Sequence, residues 1–394
     1  MTVAPLNPPR YDDWFAYFPE DYRWSAAMAL VLGVASHGAS DLGEADHAGR
    51  QLRAHLGDDD AWFEVWREEG DRLRARGQQA EGAGHRLTAS SCYLRATTYY
   101  QIGERFRTPK DQAALDCYRD SLTTFKDFAR LTDRPRIESV EVPYLDTSLP
   151  AYLVGAELRD GGRPPVVVFF DGLDITKEMC FQRGATELAR RGVSVLLVDG
   201  PGNGESIRFR GLPLRYDYEL AGSAAIDYLQ GRDDVDATRV GVMAISLGGY
   251  YASRCAALEP RFAAAVAWGA IWDYHQVWKQ RIESNFAGSL SVPGHHLQWV
   301  LGASSTESAL RQLEDFRLDG VVERMRCPFL VLHGEHDEQV PLATAQQLLA
   351  ASGSPDKTLH VFEAAGGGAQ HCQSDQLTTA TAFFSDWLAD RLGA

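Results

Sequence analysis

One stretch, Arg239 to Tyr250, constrains the fold of this chain more than any other. An apolar run rich in β-formers, Val240 to Ile245, stops at Ser246 and is followed by Leu-Gly-Gly and a helix-compatible run. A strand, a sharp turn carrying a serine and a helix together form a nucleophile elbow. The positions two before and two after the serine must be small, and they are Ala244 and Gly248. A buried strand leading into a helix capped by Ser246 would show the same five residues, so the rest of the chain has to decide.

Residues 137–394 show the pattern of an α/β sheet. The hydrophobic period changes from helical to alternating at Arg134-Pro-Arg136, and later strands alternate with helices, which requires parallel pairing with right-handed crossovers. The predicted strands are 138–144, 149–158, 166–170, 193–198, 240–245, 262–268, 329–332 and 359–362, and the predicted helices include 177–191, 216–230 and 378–392. We therefore predict a mostly parallel, doubly wound sheet. The irregular interval 271–319 is long enough to be a lid-like insertion.

Residues 1–136 are predicted to form a separate, all-helical domain. Apolar residues recur at helical spacing in 24–34, 60–76, 89–106 and 111–131, which indicates about five helices. Such a unit is either a structural appendage or a cap over a site in the other domain. Arg95, Tyr99 and Tyr100 place polar groups on a helix face of small residues, so they are candidates for binding substrate.

Charge and hydropathy limit the partners. The chain of 394 residues carries a formal net charge of -15, which would repel nucleic acid and anionic membrane. The longest apolar candidate, 26–35, is shorter than the roughly 18 residues of a membrane span and lacks the flanks of a signal peptide. We expect a cytoplasmic protein that acts on a small molecule, with no nucleic-acid or membrane partner.

The cysteines and histidines indicate neither disulfides nor a metal. Six cysteines are scattered without a C-x-x-C pair, which is typical of free thiols in a reducing compartment. The segment His333-Gly-Glu-His-Asp337 contains metal-binding residue types, but side chains at a strand end would diverge. We expect no metal and no organic cofactor.

A nucleophilic serine needs a histidine to take its proton and a carboxylate to orient that histidine. In a doubly wound sheet both should follow later strands. The strand at 329–332 leads into His333-Gly-Glu-His-Asp-Glu-Gln-Val-Pro341, and the last strand leads into Gly366-Gly-Gly-Ala-Gln-His371. The chain order serine, acid, histidine is that of the α/β-hydrolase fold. The remaining histidines lie in the helical domain, within a strand, beside the acid or before it.

These segments resemble those of the α/β-hydrolase superfamily. H-G-x-x-D-x-x-V-P at 333–341 and G-A-x-H-C at 368–372 are similar to its acid and histidine segments, and Asp199-Gly-Pro-Gly-Asn-Gly-Glu-Ser206 is similar to its loop after the fourth strand. The resemblance implies an α/β-hydrolase fold for 137–394. By position it makes Ser246 the nucleophile, Asp337 the acid and His371 the base.

A narrower resemblance rests on Phe170-Asp-Gly-Leu-Asp-Ile-Thr-Lys-Glu178 and on Tyr93-Leu-Arg-Ala-Thr-Thr-Tyr-Tyr100. Both are similar to the group of 2,6-dihydroxypseudooxynicotine hydrolase and the fungal polyketide-shortening hydrolases, with the FrsA-like esterases nearby. The group cleaves carbon-carbon bonds beside a ketone under a helical cap, and its members form dimers. The resemblance therefore implies a helical cap at 1–136 and suggests a homodimer. Asp171 stands where many relatives have glycine, and Asp273 is the nearest match for a further carboxylate of the nicotine-pathway enzyme.

The reaction that follows is attack by Ser246 on a carbonyl carbon of an aryl ketone or β-diketone. Backbone N–H groups of Leu247 and of the Gly172-Leu173 turn would stabilise the oxyanion. The same triad suits a carboxylic ester hydrolase or an acyl-transferring cyclase, and these readings stay open as alternatives. A third alternative is a binding protein that kept the fold without activity, against which the intact triad argues.

Overall fold

Five α-helices form the N-terminal part of the computed structural model, which describes residues 14–158, 161–283 and 291–394. They are α1 (Tyr22–Gly33), α2 (Leu42–Leu52), α3 (Asp59–Gly82), α4 (Arg86–Glu104) and α5 (Gln112–Leu131). An aspartate directly before α1, α2, α3 and α5 accepts backbone N–H groups of the first turn, which satisfies donors that have no partner within the helix. The predicted helical stretches are confirmed, and α2 is a helix that the sequence pattern did not delimit.

Helices α3 and α4 pack closely because glycines of one face tyrosines of the other. A Cβ added to Gly70 would lie 2.6 Å from the ring of Tyr100, and one added to Gly77 would lie 2.7 Å from the ring of Tyr93. Three fully buried tryptophans belong to the same core: Trp24, Trp62 and Trp66. The tyrosines of α4 are therefore part of the packed interior of the helical unit.

An eight-stranded sheet forms the second part of the described chain. Its strands are β1 (Ile137–Tyr144), β2 (Thr147–Val154), β3 (Val166–Phe170), β4 (Ser194–Val198), β5 (Val240–Ile245), β6 (Phe262–Trp268), β7 (Phe329–Gly334) and β8 (Lys357–Phe362). Their order in the sheet is β1-β2-β4-β3-β5-β6-β7-β8. Strand β2 pairs antiparallel with β1 and β4, and the other pairs are parallel. The predicted mostly parallel sheet is confirmed.

Helices cover both faces of this sheet. Those after β3 are α6 (Lys177–Cys180), α7 (Thr186–Arg190), α8 (Gly204–Arg210), α9 (Glu219–Gln230), α10 (Gly248–Leu258), α11 (Tyr274–Glu283), α12 (His296–Leu301), α13 (Thr306–Leu313), α14 (Leu342–Ala351) and α15 (Leu377–Leu392). Alternate residues of β3 enter two separate cores: Val167 and Phe169 share one with α15, and Val168 shares the other with α9 and α10. Burial on both faces explains the continuous apolar runs of the parallel strands.

The helix after β3 differs from the prediction. A continuous helix was expected at 177–191, but a kinked segment, Phe181–Ala185, separates α6 from α7. Arg183 has φ -115° and ψ 38°, and Gly184 has φ 133°, a conformation that favours glycine. A Cβ added to Gly184 would also lie 2.5 Å from the ring of Phe384. The break therefore depends on a glycine that the hydrophobic period alone does not reveal as essential.

Buried polar contacts join the helical unit to the sheet. Glu104, the last residue of α4, pairs with both Lys110 and Arg208 of α8. Gln101 of α4 donates to Glu178 over 3.0 Å and accepts from Thr176 over 2.9 Å. Because a buried polar group that is not hydrogen-bonded is unfavourable, only a docking geometry that matches these partners is stable. The helical unit is thus held in place by specific hydrogen bonds as well as by apolar burial.

The interval predicted as a lid contains α11, α12 and α13, and its residues 284–290 lie outside the described residues. His295, at the start of α12, donates from Nε2 to the carbonyl oxygen of Thr108 over 2.7 Å. The described part of this interval therefore contacts the helical unit directly.

The six cysteines are all free thiols, as predicted. Within the described ranges, no helix is both long enough and apolar enough to cross a membrane.

Candidate active site

Ser246 occupies a tight turn between β5 and α10. Its φ is 62°, a left-handed conformation that is rare for a residue with a side chain. Its N–H donates to the carbonyl oxygen of Trp268 over 2.7 Å. A Cβ added to Gly248 would lie 2.5 Å from the Cβ of Ala244, so neither position admits a larger residue. The turn has the strained geometry of the predicted elbow.

His371 and Asp337 form a hydrogen-bonded row with Ser246. Ser246 Oγ lies 2.8 Å from His371 Nε2, and His371 Nδ1 lies 2.7 Å from Asp337 Oδ2. Because a carboxylate only accepts hydrogen bonds, we assign the proton to Nδ1, which leaves Nε2 to accept from the serine. The acid follows β7 and the histidine follows β8. The structure thus brings together the three residues whose order along the chain predicted a triad.

Asp337 is fixed by its own loop. Its Oδ1 accepts from the N–H groups of Gln339 and Val340, both over 2.9 Å. Burial raises the pKa of Asp337, but the positive charge and hydrogen bond of His371 outweigh it, so the pKa lies below the usual value. Burial lowers the pKa of His371, and the Asp337 carboxylate outweighs that effect and raises it well above the usual value. The pair therefore stabilises the imidazolium that forms when His371 takes a proton from serine.

The turn after β3 lies directly against the elbow. A Cβ added to Gly172 would be 2.6 Å from the carbonyl oxygen of Ile245 and 3.1 Å from Ser246 Cβ, so the approach requires glycine. Leu173 lines a small recess that also contains Ser246. The residues predicted to form an oxyanion hole, Gly172, Leu173 and Leu247, are therefore next to the serine. Their placement fits the prediction without testing it.

A cavity opens at Ser246 between the helical unit and the sheet. Helix α1 supplies one wall, made of Ala26, Ala29, Leu30 and Gly33. Further apolar lining comes from Ile175, Ile245 and Leu377, and polar lining comes from Arg105, Asp174, Arg183, Ser291, Gln339, Ser374, His371 and Cys372. A mostly apolar cavity with a few polar groups is the usual form of a small-molecule site.

Asp174 is the carboxylate of this cavity. Arg105, which follows α4, donates to Asp174 Oδ2 over 2.5 Å and to the Asp174 carbonyl oxygen over 2.9 Å. Ser291 donates to the same carboxylate over 3.0 Å. Burial raises the pKa of Asp174, but the Arg105 guanidinium holds the pKa below its usual value. Asp174 is therefore an ionised acceptor, positioned by an arginine of the helical unit.

The structure places Asp273, a predicted substrate-binding residue, at the start of α11. Its carboxylate accepts the N–H of Gln276 over 2.9 Å, at the start of α11. Its backbone pairs with that of Arg317. Asp273 is not among the described residues that line the cavity. Its side chain is used to begin a helix.

Arg95, Tyr99 and Tyr100 are likewise absent from the cavity lining within the described ranges. Arg95 and Tyr99 both donate to Glu44 of α2, over 2.9 and 2.8 Å. Tyr100 donates to Asp71 of α3 over 2.7 Å. These contacts lie inside the helical unit, and the substrate-binding role of the three residues stays a prediction. The helical unit reaches the cavity through α1 and Arg105 instead.

We expect Arg95→Ala to affect stability and not turnover. Removal of the guanidinium leaves the Glu44 carboxylate, which is only 13% exposed, with one charged donor fewer. The free energy of unfolding should fall by about 1 to 3 kcal/mol, with kcat/KM little changed. Thermal unfolding and steady-state kinetics with an activated ester check this, and Arg86→Ala, an exposed arginine of the same helix, is the matched control. A substantial loss of kcat/KM without loss of stability would restore Arg95 to the site.

Asp171, the departure from glycine noted in the sequence, is completely buried behind the elbow. Burial and the nearby Asp199 carboxylate both raise the pKa of Asp171 far above its usual value. Both effects favour the uncharged form of the acid.

Within the described part of the chain, no group of three or more His, Cys, Asp or Glu side chains could hold a metal ion. The charged cavity residues to which the sequence analysis gave no role are Asp174, Arg105 and Arg183. Asp174 belongs to the segment that carried the narrower resemblance. Arg183 precedes a glycine inside a predicted helix, and that glycine is the signal that could have marked it.

Residues 181–391 match the prolyl oligopeptidase family, which is more than half of the chain. The chain belongs to this family. It is an α/β hydrolase with a helical N-terminal region, and the fold class and group predicted from the sequence are confirmed. Membership establishes the fold and the hydrolase class, while the reaction and the substrate depend on the site.

Similar proteins extend over the helical unit as well. The alpha/beta hydrolase pydG of Acremonium sp is 31% identical over 79% of this chain and 81% of its own. The 20-hydroxy-prefusarin hydrolase FUS2 of Gibberella moniliformis is 27% identical over 91% of this chain and 94% of its own. The crystal structure of 2,6-dihydroxy-pseudo-oxynicotine hydrolase is 25% identical, with a TM-score of 0.75 over 92% of this chain and 95% of that one. The helical region is thus shared with these hydrolases.

Proposed function

We propose that this protein is a serine hydrolase that cleaves a carbon-carbon bond next to a ketone. The observation that carries the proposal is the hydrogen-bonded triad of Ser246, His371 and Asp337. Ser246 Oγ lies 2.8 Å from His371 Nε2, and His371 Nδ1 lies 2.7 Å from Asp337 Oδ2. Two similar proteins are named as hydrolases of 20-hydroxy-prefusarin and of 2,6-dihydroxy-pseudo-oxynicotine. Those names support a moderately sized organic substrate, which we take to be an aryl ketone or a β-diketone.

The first step forms the acyl-enzyme. His371 Nε2 takes the proton of Ser246 as Oγ bonds to the carbonyl carbon, and N–H groups of Leu247 and of the turn at Gly172-Leu173 stabilise the oxyanion. Each such donor is worth about 3 kcal/mol. Collapse breaks the carbon-carbon bond, and the electron pair leaves as an enolate or carbanion. The His371 imidazolium returns the proton to that carbon, and water activated by the same histidine then releases the acid.

Asp174 and Arg105 act on the part of the substrate beside the bond that breaks. An ionised carboxylate accepts hydrogen bonds, so Asp174 would orient a phenol or enol hydroxyl. Arg105 arrives from the helical unit and holds Asp174 over 2.5 Å. The helical unit, which lines the cavity, would in this way also help to orient the substrate.

The experiment has two stages. In the first, a fluorophosphonate probe should label the wild-type chain and leave Ser246→Ala unlabelled. In the second, benzoylacetone and phenyl acetate, which can give the same acetyl-enzyme, are offered separately. Hydrolysis of benzoylacetone to acetophenone and acetate supports carbon-carbon cleavage.

The outcomes separate the alternatives. Turnover of phenyl acetate alone would indicate an ester hydrolase, and acyl transfer to an added alcohol would indicate a transferase or cyclase. Absence of labelling in the folded wild-type chain would contradict any serine hydrolase and leave a binding protein on this fold.

A further inference from the structure

A buried guanidinium without a carboxylate partner lines the cavity at Ser246. Arg183 is 3% exposed. Its Nη1 donates to the carbonyl oxygen of Met179 over 3.1 Å, and its Nη2 donates to that of Leu30 over 2.8 Å. No acidic side chain within the described ranges forms an ion pair with it. An arginine carries five N–H donors in a planar fork, so donors remain for a ligand.

The other charges of the cavity are already paired. Asp174 is held by Arg105, and Asp337 is held by His371. The cavity lining therefore carries one positive charge in excess among the described residues. Burial lowers the pKa of Arg183 to about 10, so the group is still protonated at neutral pH. Arg105 and Arg183 share the single Asp174 carboxylate of the lining, and a buried charge that is incompletely compensated is costly and favours an anionic partner.

The backbone at this position is irregular. Arg183, with φ -115° and ψ 38°, lies in the kink between α6 and α7, next to Gly184 with φ 133°. Neither residue has helical backbone angles. The hydrogen bond to Leu30 of α1 also ties this arginine to the wall that the helical unit supplies. Arg183 is thus held from both sides of the cavity.

We propose that Arg183 binds an organic oxyanion of the substrate, a carboxylate or an ionised enol, while Ser246 attacks a carbonyl elsewhere in the same molecule. The guanidinium fork matches a charge shared between two oxygens. The neighbouring lining, Ala29, Leu30 and Leu377, is apolar and suits a carbon skeleton better than an inorganic anion. The inference rests on the proposed function for the use of Ser246, and it adds that the substrate is acidic.

Binding tests this without turnover. Wild-type protein is titrated calorimetrically with 3-phenylpropionate and 3-phenylpropionamide, which represent the carboxylate and its neutral match. The enol arm uses dimedone, which is ionised at neutral pH, and 3,3-dimethylcyclohexanone. In at least one arm the anion should bind roughly 10- to 100-fold more tightly than its neutral match, and the arm that shows the larger ratio identifies the anion class.

Two substitutions assign the preference to Arg183. Arg183→Met should abolish the discrimination between anion and neutral match, and Arg183→Lys should retain part of it because the charge remains without the fork. Arg190→Met removes an exposed arginine from the adjacent helix and should leave binding unchanged. Equal binding of anion and neutral match by the wild type in both arms, or an anion preference that persists in folded Arg183→Met, would overturn the proposal.

If Arg183→Met does not fold, the wild-type ligand pairs and Arg183→Lys decide the question. The proposed function is tested by fluorophosphonate labelling of Ser246, whereas the role of Arg183 is tested by ligand binding. A failure of one proposal can therefore be distinguished from a failure of the other.

Discussion

Ser246→Ala should lower kcat/KM for hydrolysis of an activated ester by ~10⁴ to 10⁶, and His371→Ala should cause a comparable loss. The physical reason is that the two side chains perform one step. The serine oxygen forms the bond while His371 Nε2, 2.8 Å away, takes its proton. The double variant should lose little more than either single variant, because residues that act as a unit are not additive.

Ser291→Ala is the matched control. Its hydroxyl lines the same cavity and donates to Asp174 over 3.0 Å, so it removes a cavity serine without removing the nucleophile. Kinetics should show a far smaller effect, and thermal unfolding should show all variants folded. Retention of more than about a hundredth of wild-type activity by folded Ser246→Ala or His371→Ala would remove the triad hypothesis, given the losses usual for such units.

The parts of the site that the sequence predicted are those with local signatures. The elbow could be recognised because a strained turn needs small residues at fixed positions. A Cβ added to Gly248 would lie only 2.5 Å from the Cβ of Ala244. Asp337 and His371 could be proposed because parallel strands all end at one edge of the sheet. For these residues, position along the chain determines position in space.

The parts that were missed depend on how separate elements pack. Helical spacing showed that Arg95 and Tyr99 share a polar face. It did not show that Glu44, about 50 residues earlier in the chain, would bind both of them. Arg105 and Asp174 are 69 residues apart and meet only because the helical unit docks on the sheet. The sequence pattern predicted an unbroken helix through Arg183. Hydrophobic periodicity does not indicate a break that depends on the close packing of Gly184 against Phe384. Helical spacing identifies a face but not its partner.

Asp337→Asn should lower kcat by about 10⁴-fold while leaving the fold intact. The asparagine oxygen can still accept from the N–H groups of Gln339 and Val340, which now bind Asp337 Oδ1. Its amide would instead donate toward His371 Nδ1 and favour the tautomer with the proton on Nε2. In that form Nε2 cannot take the proton of Ser246, so the loss follows from a single misplaced proton.

The pH profile separates this role from a merely structural one. The Asp337 carboxylate raises the pKa of His371, and only neutral His371 is a base, so kcat/KM of the wild type should rise with pH through that pKa. Removal of the negative charge destabilises the imidazolium, and the rise in Asp337→Asn should therefore shift to lower pH. Glu335→Gln and Glu338→Gln change the neighbouring acids of the same loop and should leave the profile in place. If either caused the larger loss, or if the profile of folded Asp337→Asn did not move, the acid of the site would have to be sought among those neighbours.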